Sequence, residues 1–176
     1  LARRLGVERR LEPFGLPLTE EEAKFAHIYQ GNAPDTGAAL AKIREACGDA
    51  HIKVILGTGE LGTLRNVARA SVVAMMAGAD FIKTSTGKEP VNATLPVGLV
   101  MVRAIREYLE RTGYPIGFKP AGGIRTAKDS LDWLAMIKEE LGDRWLRRDL
   151  FRFGASSLLA DIERQLEHAA EGRYSA

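Results

Sequence analysis

Cysteine is nearly absent from this sequence. A single thiol, Cys47, in 176 residues excludes an internal disulfide framework and fits a reducing compartment. It falls in the apolar-periodic stretch "AALAKIREACG", where a buried helical cysteine is expected rather than a nucleophile. Histidine is scarce as well: His27, His51 and His168 have no partner at ligand spacing, so surface positions are expected for all three. No Cys/His/carboxylate cluster points to a metal. An excess of one charge is also missing. The 25 Lys and Arg nearly balance the 23 Asp and Glu, for a net +2, and the two signs are interspersed. That excludes the basic stripe nucleic acid needs but leaves room for a small anionic substrate. No apolar run approaches the roughly 18 residues of a membrane span, and no charged-then-apolar signal peptide opens the chain. Cytoplasm is therefore the expected location, with no membrane partner. "LARRLGVERR" is Arg-rich like a transit peptide, yet it carries Glu8 and few hydroxyls. Aromatics make up only 7%, and Trp133 and Trp145 fit helix packing better than base stacking.

What is present is a rhythm. With 45% hydrophobic residues the chain can bury one core. From Asp35 onward, short apolar runs alternate with long amphipathic ones, the pattern of a parallel sheet wrapped by helices. Strands are expected at His51–Leu56, Asp80–Thr84, Ile116–Lys119 and Leu150–Phe153. Helices are expected at Thr36–Cys47, Leu61–Ala77, Asn92–Thr112, Ala127–Leu141 and Ser157–Ala169. In "LDWLAMIKEEL" the apolar residues Leu131, Leu134, Ile137 and Leu141 recur at helical intervals. Gly78, Gly113 and Gly142 stand just past helices, where a C-terminal cap favours positive φ. Residues 1–34 break the rhythm: "EPFGLPL" is turn-rich, "TEEEAKFAHIYQ" reads as one helix capped by Thr19 and Glu22, and "GNAPDTG" is a loop. The division expected is an irregular, helical segment over 1–34 and an α/β unit over 35–176.

The run "KVILGTGELG" matches the G-x-G-x-x-G dinucleotide fingerprint at Gly57, Gly59 and Gly62. That fingerprint also needs an acidic residue closing the next strand, to hold a ribose. In "ADFIKTSTG" the acid, Asp80, opens the strand and Lys83 closes it. Glu60, expected among the first residues of the next helix, would repel the pyrophosphate that a helix N-terminus attracts. A plain glycine-rich turn is therefore expected, and no cofactor.

Sharper signals lie in "FIKTSTGK" and "GFKPAGGIR", where Lys83 and Lys119 each end an apolar strand just before a Gly- and hydroxyl-rich loop. Burial and a second nearby cation both depress a lysine's pKa, leaving a neutral amine that can attack a carbonyl and form a Schiff base. On consecutive parallel strands both lysines face the same opening. The same spacing also suits lysines that merely bind phosphate or reach into solvent. An anion site is expected where Gly122 and Gly123 meet Ser156 and Ser157, because loops after the last strands of barrel enzymes join a helix N-terminus to hold phosphate. A plain N-cap is the competing reading for the two serines. Arg125 and Lys88 are further candidates.

Taken together, "KVILGTGELG", "GADFIKTSTGK", "VNAT", "GFKPAGGIR", "AKDSL" and "FRFGASSLL" resemble deoxyribose-phosphate aldolase, the class I aldolase (a carbon-carbon lyase) that reversibly cleaves 2-deoxy-D-ribose 5-phosphate to acetaldehyde and glyceraldehyde 3-phosphate. The resemblance runs from about Asp35 to Tyr174. It implies a (β/α) TIM-type barrel of which this chain supplies strands five to eight, with "TGEL" as the turn after the fifth. It implies that Lys83 is the Schiff-base lysine and Lys119 the neighbouring cation that lowers its pKa. Gly122, Gly123, Ser156 and Ser157 become the phosphate loops, while Thr86, Gly87 and Lys88 line the substrate mouth. Tyr174 is similar to a C-terminal tyrosine that some members place over the site. The "D-V-V"-type strand, whose Asp serves the family's proton relay, has no counterpart in 1–34. Iminium formation is then expected to survive while proton shuttling slows by about 100 to 10,000-fold. A half barrel also leaves unpaired edges and exposes apolar barrel interior, so a homo-oligomer, a complementing chain, packing of the N-terminal helix over the gap, or a fragment of poor stability is expected. The alternative function is a catalytically impaired, phosphosugar-binding or assembly-forming half barrel.

Overall fold

The computed structural model describes residues 36–87 and 89–172. The N-terminal segment with its helix, Lys88 and Tyr174 lie outside the described residues. In chain order the elements are α1 (Thr36–Cys47), β1 (Lys53–Ile55), α2 (Leu64–Met76), β2 (Phe81–Lys83), α3 (Leu95–Thr112), β3 (Gly117–Lys119), α4 (Ala127–Leu141), a 3-10 turn (Asp143–Trp145) and α5 (Leu158–Glu171).

Threonine sets where the middle helices begin. Thr63, Thr94 and Thr126 hold extended backbone and accept the N–H of Asn66, Val97 and Asp129 respectively. An extended N-cap ends the loop and satisfies a donor that has no partner inside the helix. This is why α2 and α3 start three residues later than the expected Leu61 and Asn92. It also corrects the position of Glu60, which lies in the turn ahead of α2, its N–H donated to Gly57 O at 2.9 Å. At α4 a full capping box forms between Thr126 and Asp129, and the expected bounds hold.

The three strands pair in parallel in the order β1-β2-β3, with Ile55 opposite Lys83 and Lys83 opposite Lys119. Each is three residues long, shorter than expected. The expected fourth strand is a pair of isolated parallel bridges, Phe118 to Phe151 and Ala121 to Gly154. Pro120, which has no N–H, stands between them on the β3 side and interrupts the ladder.

Alternation along the strands separates two faces. Val54, Ile82 and Phe118 turn outward to the helices, where the Phe118 ring lies 6.1 Å from that of Trp133. Ile82, Met101, Val102, Ile105, Tyr108, Phe118 and Ile137 are fully buried in this layer. Trp145 donates its indole N–H to Ile116 O at 3.0 Å, and both tryptophans are core residues as expected. The inner face carries Ile55, Phe81, Lys83, Gly117 and Lys119. There the Phe81 ring spreads over Gly117, where a Cβ would meet it at 2.3 Å.

Cys47 is exposed, contrary to expectation. It is the last residue of α1, and Arg44 occupies the space beneath. The Arg44 guanidinium donates to Asp80 at 2.8 Å and to the carbonyls of Gly48 and Ala50. Asp80 in turn accepts from Ile52 N at 2.8 Å, so the acid of the supposed dinucleotide fingerprint ties α1 to the base of the sheet. Among the described residues no helix is long and apolar enough to cross a membrane.

Candidate active site

The site forms beyond the C-terminal ends of the strands, where three loops are pulled together. Thr84 is wholly buried; its hydroxyl donates to Ala121 O at 3.0 Å and accepts from Ala121 N at 2.9 Å. Ser85 Oγ lies 2.7 Å from Ala121 O and 2.8 Å from Asn92 Oδ1. Asn92 also packs against Gly122, where a Cβ would come within 2.4 Å of the Asn92 Cβ. With φ +90° as well, position 122 suits only glycine. Gly154 approaches the same loop from the other side and would bring a Cβ within 2.5 Å of Ala121 Cβ. The "TGEL" turn is held by similar means: a Cβ at Gly59 would stand 2.2 Å from Val91 O. The second glycine of the fingerprint therefore makes way for protein backbone.

Beside these contacts opens a cavity of about 400 Å³. Seven of the nine expected site residues line it: Lys83, Thr86, Gly87, Gly122, Gly123, Ser156 and Ser157. Arg125 lines it too. Lys88 lies outside the described residues. Lys119 is not part of the wall; its Cε would stand 3.3 Å from a Cβ at Gly154, whose backbone is. Ser157 occupies the N-cap position of α5 but makes no side-chain capping bond.

Both lysines lose protons more readily than ordinary lysines. For Lys83, burial and then the Lys53 ammonium lower the pKa, opposed by the Glu89 carboxylate. For Lys119 the causes are burial, Lys53, Lys83 and Arg152. Lys83 and Lys119 stand opposite each other on adjacent strands, and the Lys83 charge is among the causes that favour the neutral form of Lys119. Glu89 stays below the usual carboxylate range. Burial pushes it up, but the N–H groups of Thr86 and Gly87 and the Thr86 hydroxyl, at 3.0 to 3.3 Å, outweigh that.

Sequence reasoning missed Thr84, Ser85 and Asn92, whose signal was the hydroxyl-rich run after Lys83 and the amide in "VNAT". It also missed Glu89 and Lys53. Lys53 was legible by alternation, since it shares a face with Ile55 and hence with Lys83.

The model of the DeoC/LacD family aldolases matches residues 27–164. Mouse deoxyribose-phosphate aldolase is 68% identical over 137 residues, 78% of this chain and 43% of the mouse protein. The human enzyme of the same name is 67% identical over the same shares. Among solved structures, a Toxoplasma gondii ME49 chain described by that enzyme name superimposes with a TM-score of 0.68 at 26% identity, covering 86% of this chain and 59% of that one. The aldolase QR15 does so with a TM-score of 0.57 at 27% identity, over 85% and 55%. The chain thus spans less than half the length of the curated relatives it matches. With its parallel, lysine-ended strands and outer helices forming part of a (β/α) barrel, it belongs to the DeoC/LacD family of aldolases.

Proposed function

We propose that this chain carries the Schiff-base side of a deoxyribose-phosphate aldolase site, with Lys83 as the nucleophile. The reading rests on one observation: a single cavity brings Lys83 together with the Gly122-Gly123 and Ser156-Ser157 loops. Neutral Lys83 Nζ attacks the C1 aldehyde carbon of open-chain 2-deoxyribose 5-phosphate, and loss of water gives the iminium. Removal of the C3 hydroxyl proton breaks the C2–C3 bond, its electron pair flowing into the iminium. Glyceraldehyde 3-phosphate leaves and an enamine remains. Protonation at C2 and hydrolysis by water release acetaldehyde and the lysine. Lys119 assists by opposing a charge on Lys83. The 5-phosphate sits against Gly122, Gly123, Ser156 and Ser157, where the N-terminus of α5 favours an anion; Thr86, Gly87 and Lys88 border the mouth. No cofactor enters these steps.

The working protein in this reading is cytosolic. Residues 35–176 serve as the C-terminal half of the barrel and 1–34 as a separate segment. The test is incubation with deoxyribose 5-phosphate and borohydride, followed by intact mass measurement and peptide mapping. An adduct on Lys83, absent in Lys83→Met, is the expected result. A folded sample that binds the phosphate ester without forming an adduct would overturn the catalytic assignment in favour of a phosphosugar-binding half barrel.

A further inference from the structure

We infer that Lys53, at the start of β1, is a positioning residue for Lys83, acting through its charge from the inner face of the sheet without touching substrate. The inference rests on the Schiff-base reading of Lys83.

Side chains two residues apart on a strand share a face. Lys53 therefore points the same way as Ile55, and the register carries that face across to Lys83 and on to Lys119. Directly opposite Lys53 stands Phe81. Its ring lies flat enough over the sheet to forbid a Cβ at Gly117, and the Arg152 guanidinium sits 4.8 Å from its centroid. The inner face is thus an aromatic floor ringed by Lys53, Lys83, Lys119 and Arg152.

The charges facing Lys83 can be enumerated by element. Lys53 comes from β1, Lys119 from β3 and Glu89 from the loop after β2, while Arg152, from the segment bridged to β3, acts on Lys119. Glu89 is the one acid in that set, and it is engaged by Thr86 and Gly87. Among the described residues, the ion pairs found involve none of Lys53, Lys83 and Lys119. A like charge on the same face of the sheet disfavours a second ammonium there, and Lys53 shares that face with both site lysines by register. Lys53 is the group besides burial that lowers both site lysines. Lys53 is exposed at the start of its strand, so solvent and salt screen its charge, and removing that charge measures how much of it reaches Lys83.

The experiment measures the pH dependence of Lys83 acetylation by a brief pulse of acetic anhydride, with peptide mapping, in the whole chain. Borohydride trapping with deoxyribose 5-phosphate runs in parallel. Wild type is compared with Lys53→Met, Lys53→Gln and Lys53→Arg, each checked for folding by circular dichroism. In the two neutral variants the labelling midpoint of Lys83 should move to higher pH, with severalfold less labelling at pH 7. Arginine, which keeps the charge at every accessible pH, should restore the wild-type profile. High salt should move the wild-type midpoint the same way and leave the neutral variants nearly unchanged. An unmoved midpoint in the neutral variants overturns the inference, as does an arginine variant that behaves like methionine. A midpoint that moves while no variant yields a borohydride adduct supports the Lys53 coupling and overturns the Schiff-base assignment instead.

Discussion

Replacing Thr84 by valine tests whether a single hydroxyl holds the site loops together. Valine has nearly the same shape, so packing is kept while two hydrogen bonds vanish. Their loss is unequal. The Ala121 carbonyl still has Ser85 Oγ at 2.7 Å, but the Ala121 N–H loses Thr84 Oγ1, its acceptor at 2.9 Å. Ala121 is 3% exposed, so water does not readily replace it. A buried donor left unsatisfied costs about 1–3 kcal/mol. For a chain of this size each kcal/mol is about 2–4 °C of melting temperature, so the drop should be about 2–12 °C. Thermal and urea unfolding give the magnitude, and amide exchange at Ala121, which should lose its protection, gives the location. A Thr84→Val protein that melts with wild type and keeps Ala121 protected would refute the clamp.

Three further outcomes follow from the packing and the charges. Gly59→Ala puts a methyl 2.2 Å from Val91 O, and since the obstacle is backbone the loop must move, at about 1–3 kcal/mol in urea unfolding. Ile137→Ala, at a wholly buried position in the core, should lose about 2–5 kcal/mol, and Ile137→Val only about 0.5–1.5; equal losses would refute the packing described. Lys119 carries a folded pKa below its unfolded value, so the unfolded chain binds more protons between the two. Its charge therefore opposes folding at neutral pH, and the penalty fades as pH climbs toward the ordinary lysine value of about 10.4. Lys119→Met should accordingly melt higher than wild type at pH 7, with a difference that shrinks by pH 10.5; melting scans across that range check it.

Helices were more legible than strands, for reasons visible in particular residues. The period of Leu134, Ile137 and Leu141 and the Thr126 capping box together bracket α4 to the residue. At α2 and α3 the apolar period ran on into the preceding loop, and only the extended backbone of Thr63 and Thr94 ends it. Strand ends were overextended: Leu56 donates its N–H to Lys83 O at 2.9 Å and Leu150 O accepts from Phe118 N at 2.8 Å, yet the continuous ladder stops short of both. The Pro120 interruption could have been anticipated, since proline has no N–H to donate. Cys47 misled because periodicity reports which side of a helix faces inward without reporting where the neighbouring structure stops. Arg44, three residues earlier, fills that boundary with a polar group that composition alone assigns to the surface.

The site divides along a different line. Lysines ending strands, glycines entering loops and a serine pair before a helix are all marked by type and place, and six of those residues meet around one cavity. What no reading in one dimension supplies is the neighbour across the sheet. Gly59 carried the letter of a dinucleotide motif, yet its constraint is the carbonyl of Val91, thirty-two positions later. Lys53 opened the run "KVILGTGELG" without a role of its own there, and its place on the face of the two site lysines is a property of register. Thr84 looked like one hydroxyl in a polar run until Ala121 closed on it. Residue type therefore locates the chemistry in this chain, while pairing determines which charges tune it, and Lys53 is the position where those two kinds of information can be tested against each other.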